Sequence, residues 1–356
     1  MIKAAMKTTV AKVRPESISF NPLVVSDATT LSHLNQAAEL IRTNQVVAFP
    51  TETVYGLGGN ALSDDAVKAI YAAKNRPADN PLIVHVASVE QLQRKLLPPD
   101  YSIPNCYKEL LAKYWPGPLT ILLPVLPGCP VSTLVTAGQP TFAVRVPSHP
   151  VARALIALSD TPIAAPSANA STRPSPTRAS HVVHDLDGRI PLVIDGGSCG
   201  VGLESTVVDG LVEPPQLLRP GGVSLEQVQQ YWPSVIVAKK TAGKTEAVRT
   251  PGMKYKHYSP TAKVWLTQDY DKAKQYVQDH TDLKVAVLST QTFQEIEGAA
   301  NYAMGTTPEA ISHSLFALLR QMDDEGVDEV IVEAIDTSNG GLAVMNRLEK
   351  AAVGYL

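Results

Sequence analysis

A chain of 356 residues, 44% hydrophobic and 18% charged, has the length of two domains and the composition of an ordinary globular protein. A net charge of −3 argues against a protein that coats nucleic acid in bulk, and no apolar run approaches the roughly 18 residues of a membrane span. Three scattered cysteines, Cys106, Cys129 and Cys199, point to a reducing, cytoplasmic setting without a disulfide framework or zinc knuckle. The first 15 residues carry Lys3, Lys7, Lys12 and Arg14 and no acid. They faintly resemble a transit peptide, but a frayed N-terminus is the preferred reading.

From residue 30 to 220 the pattern alternates helix and strand. Leu34, Ala37, Ala38, Leu40 and Ile41 form one apolar face of a helix over 31–44. Residues 46–49 follow as a buried strand stopped by Pro50. A helix starts at 63–65, with acids in its first turn, and ends near Arg76 and Pro77. Strands are predicted at 81–86, 119–124, 142–146, 163–165, 192–194 and 205–208, with helices at 104–115, 149–159 and 178–187. This is an α/β domain with a mixed twisted sheet. Residues 221–260 lack periodicity and contain Pro233, Gly243, Pro251, Gly252 and Pro260, which reads as a linker. A second α/β series has strands at 262–266, 284–289 and 329–333 and helices at 270–279, 308–325 and 342–351, a small Rossmann-like sheet. The expected division is an extension over 1–29, a catalytic domain over 30–222, a linker or lid over 223–260 and a C-terminal domain over 261–356.

Charge is unevenly spread. Residues 1–222 carry 18 Lys and Arg against 17 Asp and Glu, whereas the remainder carries 13 against 17. Within that acidic remainder, residues 239–263 hold seven cations and Glu246 alone, a run that suits a solvated linker or contact with phosphates. Three motif matches fail on context. The string at 238–245 has Ala238 where a P-loop needs Gly, and Pro251 and Gly252 leave little room for the required helix. Residues 196–200 match G-x-S-x-G, but a strand rather than a helix is predicted after them. His181 and His184 share a helix face with no third ligand in view.

Two trios suit an anionic ligand. Lys74 and Arg76 flank Asn75, and Ser167 and Asn169 flank Ala168. Arg presents a planar fork of donors to phosphate, Lys a compact charge, and Ser and Asn neutral hydrogen bonds that fix orientation. Taken singly, the first trio reads as a solvated helix end and the second as a turn; the strings around them favour the anionic ligand.

The strings PTETVYGL at 50–57, KNRP at 74–77, NPLIVH at 80–85, PSAN at 166–169 and LRPG at 218–221 together resemble the threonylcarbamoyl-AMP synthase family, built on the YrdC-type domain. PGMKYKHYSP at 251–260 extends the likeness into a C-terminal domain like that of the family's long form. The resemblance implies an enzyme that converts L-threonine, bicarbonate and ATP to threonylcarbamoyl-AMP and pyrophosphate, for modification of the adenosine beside the tRNA anticodon. It implies catalytic roles for Lys74, Arg76, Ser167 and Asn169. Arg76, Asn80, Thr141, Ser167, Ser175, Arg219 and Tyr255 would surround ATP, and Thr53, His85, Arg145, Ala165 and Ser205 would form the threonine pocket. Alternatives stay open at three positions: Arg145 as a solvent-facing strand residue, His85 as a core histidine, and Tyr255 as a stray linker residue.

Mg²⁺ is expected with ATP, riding on phosphates, and the sequence shows no dedicated cage. The implied partners are proteins that transfer the threonylcarbamoyl group to tRNA, with weak tRNA contact open and no membrane. Two rival readings differ in class. An RNA-binding module explains the cations but lacks an aromatic platform. A carbamoyltransferase of the hydrogenase-maturation type requires an acylphosphatase unit and C-x-x-C zinc fingers, and the chain has neither.

Overall fold

The computed structural model describes residues 6–75, 77, 80–238 and 257–356. Two sheets organise it. The larger has eleven strands in the order β1-β10-β4-β5-β9-β6-β8-β7-β11-β12-β13. In chain order these are β1 (Thr9–Lys12), β4 (Val47–Phe49), β5 (Gly56–Asn60), β6 (Ile83–His85), β7 (Leu119–Pro124), β8 (Thr141–Arg145), β9 (Ile163–Ala164), β10 (Leu192–Asp195), β11 (Thr206–Asp209), β12 (Gln216–Arg219) and β13 (Ile236–Val237). A separate hairpin pairs β2 (Ile18–Ser19) with β3 (Val24–Val25). The large sheet is mixed: β10 lies parallel to β4, for example, and β4 antiparallel to β5. Alternate side chains face opposite cores, as the two-residue period of a strand requires. Val46 and Ala48 join one cluster, Val47 and Phe49 the other.

The first-unit helices are α1 (Ala28–Arg42), α2 (Asp64–Lys74), α3 (Val89–Leu96), α4 (Lys108–Tyr114), α5 (Thr133–Thr136), α6 (Pro150–Ser159), α7 (Ala179–Leu186) and α8 (Leu225–Gln229). The helix predicted from residue 31 starts earlier because the Asp27 carboxylate accepts from the Thr30 amide at 2.8 Å, an N-cap. Its apolar face, Leu34, Ala37, Ala38 and Ile41, is fully buried.

The second sheet contains β14 (Lys263–Thr267), β15 (Val285–Ser289), β16 (Ala300–Ala303), β17 (Glu329–Glu333) and β18 (Gly354–Tyr355), ordered β16-β15-β17-β14-β18 and parallel throughout. Helices α9 (Tyr270–Asp279), α10 (Pro308–Asp324) and α11 (Gly341–Ala351) cover it. Val285, Val287 and Ile331 pack with α9 residues, while Leu266, Val330 and Val332 pack with α10 and α11, so both faces are dry.

Helices α3 and α5 and strand β12 were not predicted, and four further features depart from the sequence-based expectation. The second sheet has five strands rather than three, because β16 and β18 are short edge strands without an apolar run. Strand β5 reads Gly-Leu-Gly-Gly-Asn and carries no alternation to detect. A Cβ on Gly58 would fall 2.5 Å from both Ile163 and Phe49, so the missing side chain is what permits the packing. Residues 9–12, expected within an extension, form a strand parallel to β10, and Ala11, Val13 and Ile18 are buried. Residues 223–238, expected as linker, belong to the first unit. Helix α8 is set by a capping box between Ser224 and Gln227, Val223, Val228, Trp232 and Val235 enter the core, and β13 pairs with β12.

The units meet closely. Val54 and Leu203 of the first join the core of the second. Gly202, at φ 84°, lies so near α10 that a Cβ would sit 2.4 Å from the Ser312 carbonyl. No helix among the described residues is long and apolar enough to cross a membrane.

Candidate active site

A cavity of about 290 Å³ opens where the β4–β5 turn, the C-terminal ends of α2, β8 and β12, and the loops over 165–175 and 203–205 converge. Residues 257 and 258, at the end of the linker, complete its rim.

Lys74 is the last residue of α2. Asn75 adopts the left-handed conformation (φ 51°) as C-cap, turning the chain while Lys74 points inward. The ammonium is 1% exposed. It donates to the backbone carbonyls of Ser167 and Asn169 and lies 3.5 Å from Asn169 Oδ1. In return the Lys74 carbonyl accepts from Ser171 N at 3.1 Å and Ser171 Oγ at 3.0 Å. Asn169 Nδ2 donates to the Ala170 and Arg173 carbonyls at 2.9 and 3.0 Å. Lys74 and the trio at 167–169 therefore form one construction, a loop wound around a buried ammonium. An antiparallel bridge between Gly56 and Ser167 fastens that loop to β5.

Arg145 leaves the end of β8 and is 4% exposed. It faces the cavity rather than solvent. Nη1 donates to Glu52 Oε1 at 2.9 Å, and Nη2 to Thr51 Oγ1 and Thr53 Oγ1 at 3.2 and 3.0 Å. Glu52 Oε2 also accepts from Ser148 N at 3.0 Å. Burial pushes the guanidinium below its ordinary value, partly offset by the Glu52 charge. His85 donates from Nδ1 to the Ile83 carbonyl at 3.0 Å. Burial first, and then Arg145, hold its imidazole well below the usual value, so it is neutral at pH 7.

Arg219, also in the lining, donates through Nε and Nη2 to the Ser205 carbonyl at 3.1 and 2.9 Å and through Nη2 to Ser205 Oγ at 3.0 Å. Burial lowers its guanidinium to about 10. The neighbouring Glu204 accepts from Ser175 Oγ at 2.6 Å and from Arg347 Nε at 3.0 Å. Burial works to raise its carboxyl, but the Arg347 and Arg219 charges and the Ser175 hydroxyl hold it below the ordinary range.

Lys74, Asn80, Ser167, Asn169, Arg219, Thr53, His85, Arg145, Ala165 and Ser205 all line this cavity. Ser175 does not; it is fully buried behind Glu204. Thr141 begins β8 opposite Pro124, away from the lining residues. Arg76 and Tyr255 lie outside the described residues. Asn80 Oδ1, Arg145 Nε and Arg173 Nε are buried polar atoms of the lining without a hydrogen-bond partner among the described residues, although Arg173 Nε lies 3.5 Å from Asp185.

Sequence reading passed over Glu52, Glu204 and Arg173 and the second-unit residues Arg320 and Arg347, and it included His257 and Tyr258 only as part of the linker or lid. Tyr258 stacks on Phe316 at 5.2 Å, and Ser259 N bonds the Thr172 carbonyl at 3.0 Å, so both units hold this end of the linker. Arg320 donates to the Pro174 carbonyl at 2.6 Å and to Asp185, whose Oδ2 accepts from Ala170 N at 3.0 Å, next to Asn169. The available signal for both arginines is placement: Arg320 and Arg347 stand on otherwise apolar helix faces, four residues after Phe316 and Ala343 respectively.

Two of the rejected motifs stay apart from this chemistry, and the third, at 238–245, lies outside the described residues beyond Ala238. His181 Nδ1 accepts from Thr177 N at 3.2 Å, and His184 bonds Asp185. Residues 196–200 run into strand β11 without an intervening helix. No group of three or more His, Cys, Asp or Glu that would hold a metal exists among the described residues.

Comparison with known proteins accounts for this arrangement. Residues 39–221 match the Sua5/YciO/YrdC family model, described as "Telomere recombination", and residues 223–353 match the model "Threonylcarbamoyl-AMP synthase, C-terminal domain". The chain is 52% identical to a Schizosaccharomyces pombe threonylcarbamoyl-AMP synthase, over 91% of its own length and 89% of that protein's. It is 46% identical to the Bacillus subtilis enzyme of that name, over 90% and 92%. The crystal structure of Pyrococcus abyssi Sua5 complexed with L-threonine superposes with a TM-score of 0.86 at 41% identity, covering 97% of this chain and 98% of that one. Buried cations and hydroxyls lining one cavity, a second parallel sheet packed against the first unit and likeness along nearly the whole length agree: the chain belongs to the threonylcarbamoyl-AMP synthase family.

Proposed function

We propose that this protein is an L-threonylcarbamoyl-adenylate synthase that uses L-threonine, bicarbonate and ATP. The observation that carries the reading is the convergence of Lys74, Arg145 and Arg219, each nearly fully buried, with Thr53, Ser167 and Ser205 on a single cavity. Buried cations beside hydroxyls suit a ligand that brings both a carboxylate and phosphates.

In this reading the threonine amine combines with bicarbonate to give a carbamate and water. A carbamate oxygen attacks the α-phosphorus, the bond to the bridging oxygen breaks, and pyrophosphate leaves. No protein nucleophile is required, so catalysis is positioning and charge stabilisation. Arg145, with Thr53, is assigned to the threonine carboxylate, and neutral His85 and Ala165 to the rest of that pocket. Lys74, Arg76, Ser167 and Asn169 are assigned to the phosphates, with Asn80 and Arg219 around the nucleotide. Ser175 is assigned an indirect role through Glu204. Mg²⁺ accompanies ATP on phosphate oxygens and water. This fits the nearby carboxylates, because Glu52 and Glu204 are engaged by arginines. Catalysis is assigned to the first unit, and the segment ending at His257 and Tyr258 is read as a lid over the nucleotide. The product would pass to proteins that modify tRNA, and the absence of a long apolar helix among the described residues suits a cytoplasmic enzyme.

The test is pyrophosphate release from ATP. Release should require both L-threonine and bicarbonate, and should fall with serine in place of threonine, because one methyl in an apolar pocket is worth roughly 1–3 kcal/mol. Release indifferent to threonine contradicts the reading.

A further inference from the structure

We propose that Arg320, on α10 of the second unit, is a positioning residue that acts with Asp185 on residues 167–174, the loop that carries Ser167 and Asn169 along the cavity. The inference rests on the functional reading above and deepens it, because it gives the second unit a part in shaping the end of the site assigned to phosphates. Arg320 is 3% exposed and is not a lining residue, so it acts through others.

One guanidinium holds this loop at two points. Arg320 Nε and Nη2 donate to the Pro174 carbonyl at 3.1 and 2.6 Å. Nη1 and Nη2 also donate to Asp185 Oδ1 and Oδ2 at 3.1 and 2.7 Å, the two-pronged geometry of an arginine–carboxylate pair. Asp185 Oδ2 in turn accepts from Ala170 N at 3.0 Å. Between the two points lie Ser171, which bonds the Lys74 carbonyl, and Arg173, whose carbonyl accepts from Asn169 Nδ2. The Asp185 side chain has no exposure to solvent, and burial works to raise its carboxyl. Arg320, ahead of His184 and Arg173, holds it below the ordinary range, so it stays a carboxylate that can receive Ala170 N.

Docking of the two units does not by itself account for this contact. Val54 and Leu203 already join the second core, and Gly202 lies against α10. Apolar packing of that kind fastens units as well as a buried ion pair does, or better. The Arg320 fork is directed instead at a backbone carbonyl of the loop and at the carboxylate that holds an amide of the same loop. Without Arg320, the buried Asp185 charge would keep, among the described side chains, Arg173 Nε at 3.5 Å and His184 Nδ1 at 3.1 Å. It would then draw on Arg173, which lines the cavity, and displace the loop.

The experiment uses the full chain and has two readouts. Amide hydrogen exchange without ligand reads the loop itself. In R320M the Ala170, Ser171 and Arg173 amides should exchange at least about tenfold faster. The Val201 and Gly202 amides, which bond the Glu52 and Thr53 carbonyls beside α10, should stay within about threefold. Acceleration of both sets alike would mean loss of docking, and unchanged exchange would mean a loop independent of Arg320; either result overturns the proposal. Calorimetry reads the site. R320M should weaken Mg-ATP binding by about tenfold to a hundredfold, the scale of a small displacement of positioned groups, with L-threonine affinity kept within about threefold. Equal losses for the two ligands, or Mg-ATP affinity kept within about threefold, overturn it. D185N should also weaken Mg-ATP binding. The loss in R320M/D185N should fall short of the two single losses combined by at least about fivefold, because both residues act in one chain of contacts; independent losses contradict action through Asp185. Should R320M not fold, R320K decides. Its ammonium keeps the charge but lacks the planar fork, so the same loop amides should exchange at least about threefold faster, and unchanged exchange refutes the proposal. If the unsubstituted protein itself binds no Mg-ATP, the functional reading fails, and the exchange measurement still decides the role of Arg320.

Discussion

Arg145 Nη1 donates to Glu52 Oε1 at 2.9 Å, so the guanidinium assigned to the threonine carboxylate already carries a carboxylate partner inside the protein. Both side chains are close to fully buried, at 5% and 11% exposure. The pair keeps Arg145 oriented before any ligand arrives, and Thr51 and Thr53 fix its second nitrogen. Preorganisation of this kind lowers the cost of binding, because little ordering remains to be done.

Substitution of either partner should therefore act on threonine more than on ATP. Arg145→Met should raise the KM for threonine by about tenfold to a hundredfold, the scale of a lost charge-assisted hydrogen bond. Glu52→Gln, which frees Arg145 to reorient, should raise it less. Equal effects on the KM values for threonine and ATP in Arg145→Met contradict the assignment.

Lys74 should matter to turnover. Lys74→Met preserves the aliphatic stem and removes the charge around which residues 167–169 are wound. A loss of about two to three orders of magnitude in kcat is expected, the usual scale for a preorganised charge-stabilising donor. Near-normal kcat in folded Lys74→Met protein would make the ammonium a purely structural pin for the loop.

The fold was legible in sequence wherever an element is long and periodic. Helix α9 and strand β17 fall at the predicted residues, and α10 and α11 differ by a single residue at one end. Short or glycine-rich pieces were not legible. Strand β5 consists mostly of glycine, and α8 is five residues long. Of the predicted site residues, seven that belong to the recognisable strings share the cavity lining, and Arg145, Ala165 and Ser205 join them from outside those strings. Glu52 and Glu204 were not, since an acid next to a threonine or serine in a short apolar stretch gives no sign of a buried partner 93 or 143 residues away. Such pairings are created by topology, not by local pattern.

Acid should weaken the fold through its buried histidines. His85, His149 and His181 all have folded-state values lowered by burial, His181 to about 4. The unfolded chain, near 6.5, then binds protons more readily. Stability is thus full above about pH 6.5 and falls below it by up to ~1.4 kcal/mol per pH unit for each such group. Urea midpoints at pH 7.5 and 5.5 should show this decline, and His85→Gln should reduce it. A midpoint that rises on acidification to pH 5.5 contradicts the account.

Gly202 tests the contact between the units. Gly202→Val places a side chain against the α10 backbone at a positive φ, and should destabilise by more than ~2 kcal/mol. Limited proteolysis should then cut between the units while the first-unit core persists. Unaltered melting and protection would mean that the close approach carries no weight.

The central claim is that a threonine–bicarbonate adduct is joined to the α-phosphate of ATP in this cavity. The direct measurement supplies ¹⁴C-bicarbonate, L-threonine and ATP labelled at the α-phosphorus, and analyses the nucleotide products at short times. The account predicts one species carrying both labels, formed together with pyrophosphate and absent when threonine is omitted. Label from ATP recovered only in AMP or ADP, with none of it joined to ¹⁴C even at the earliest times, would contradict it.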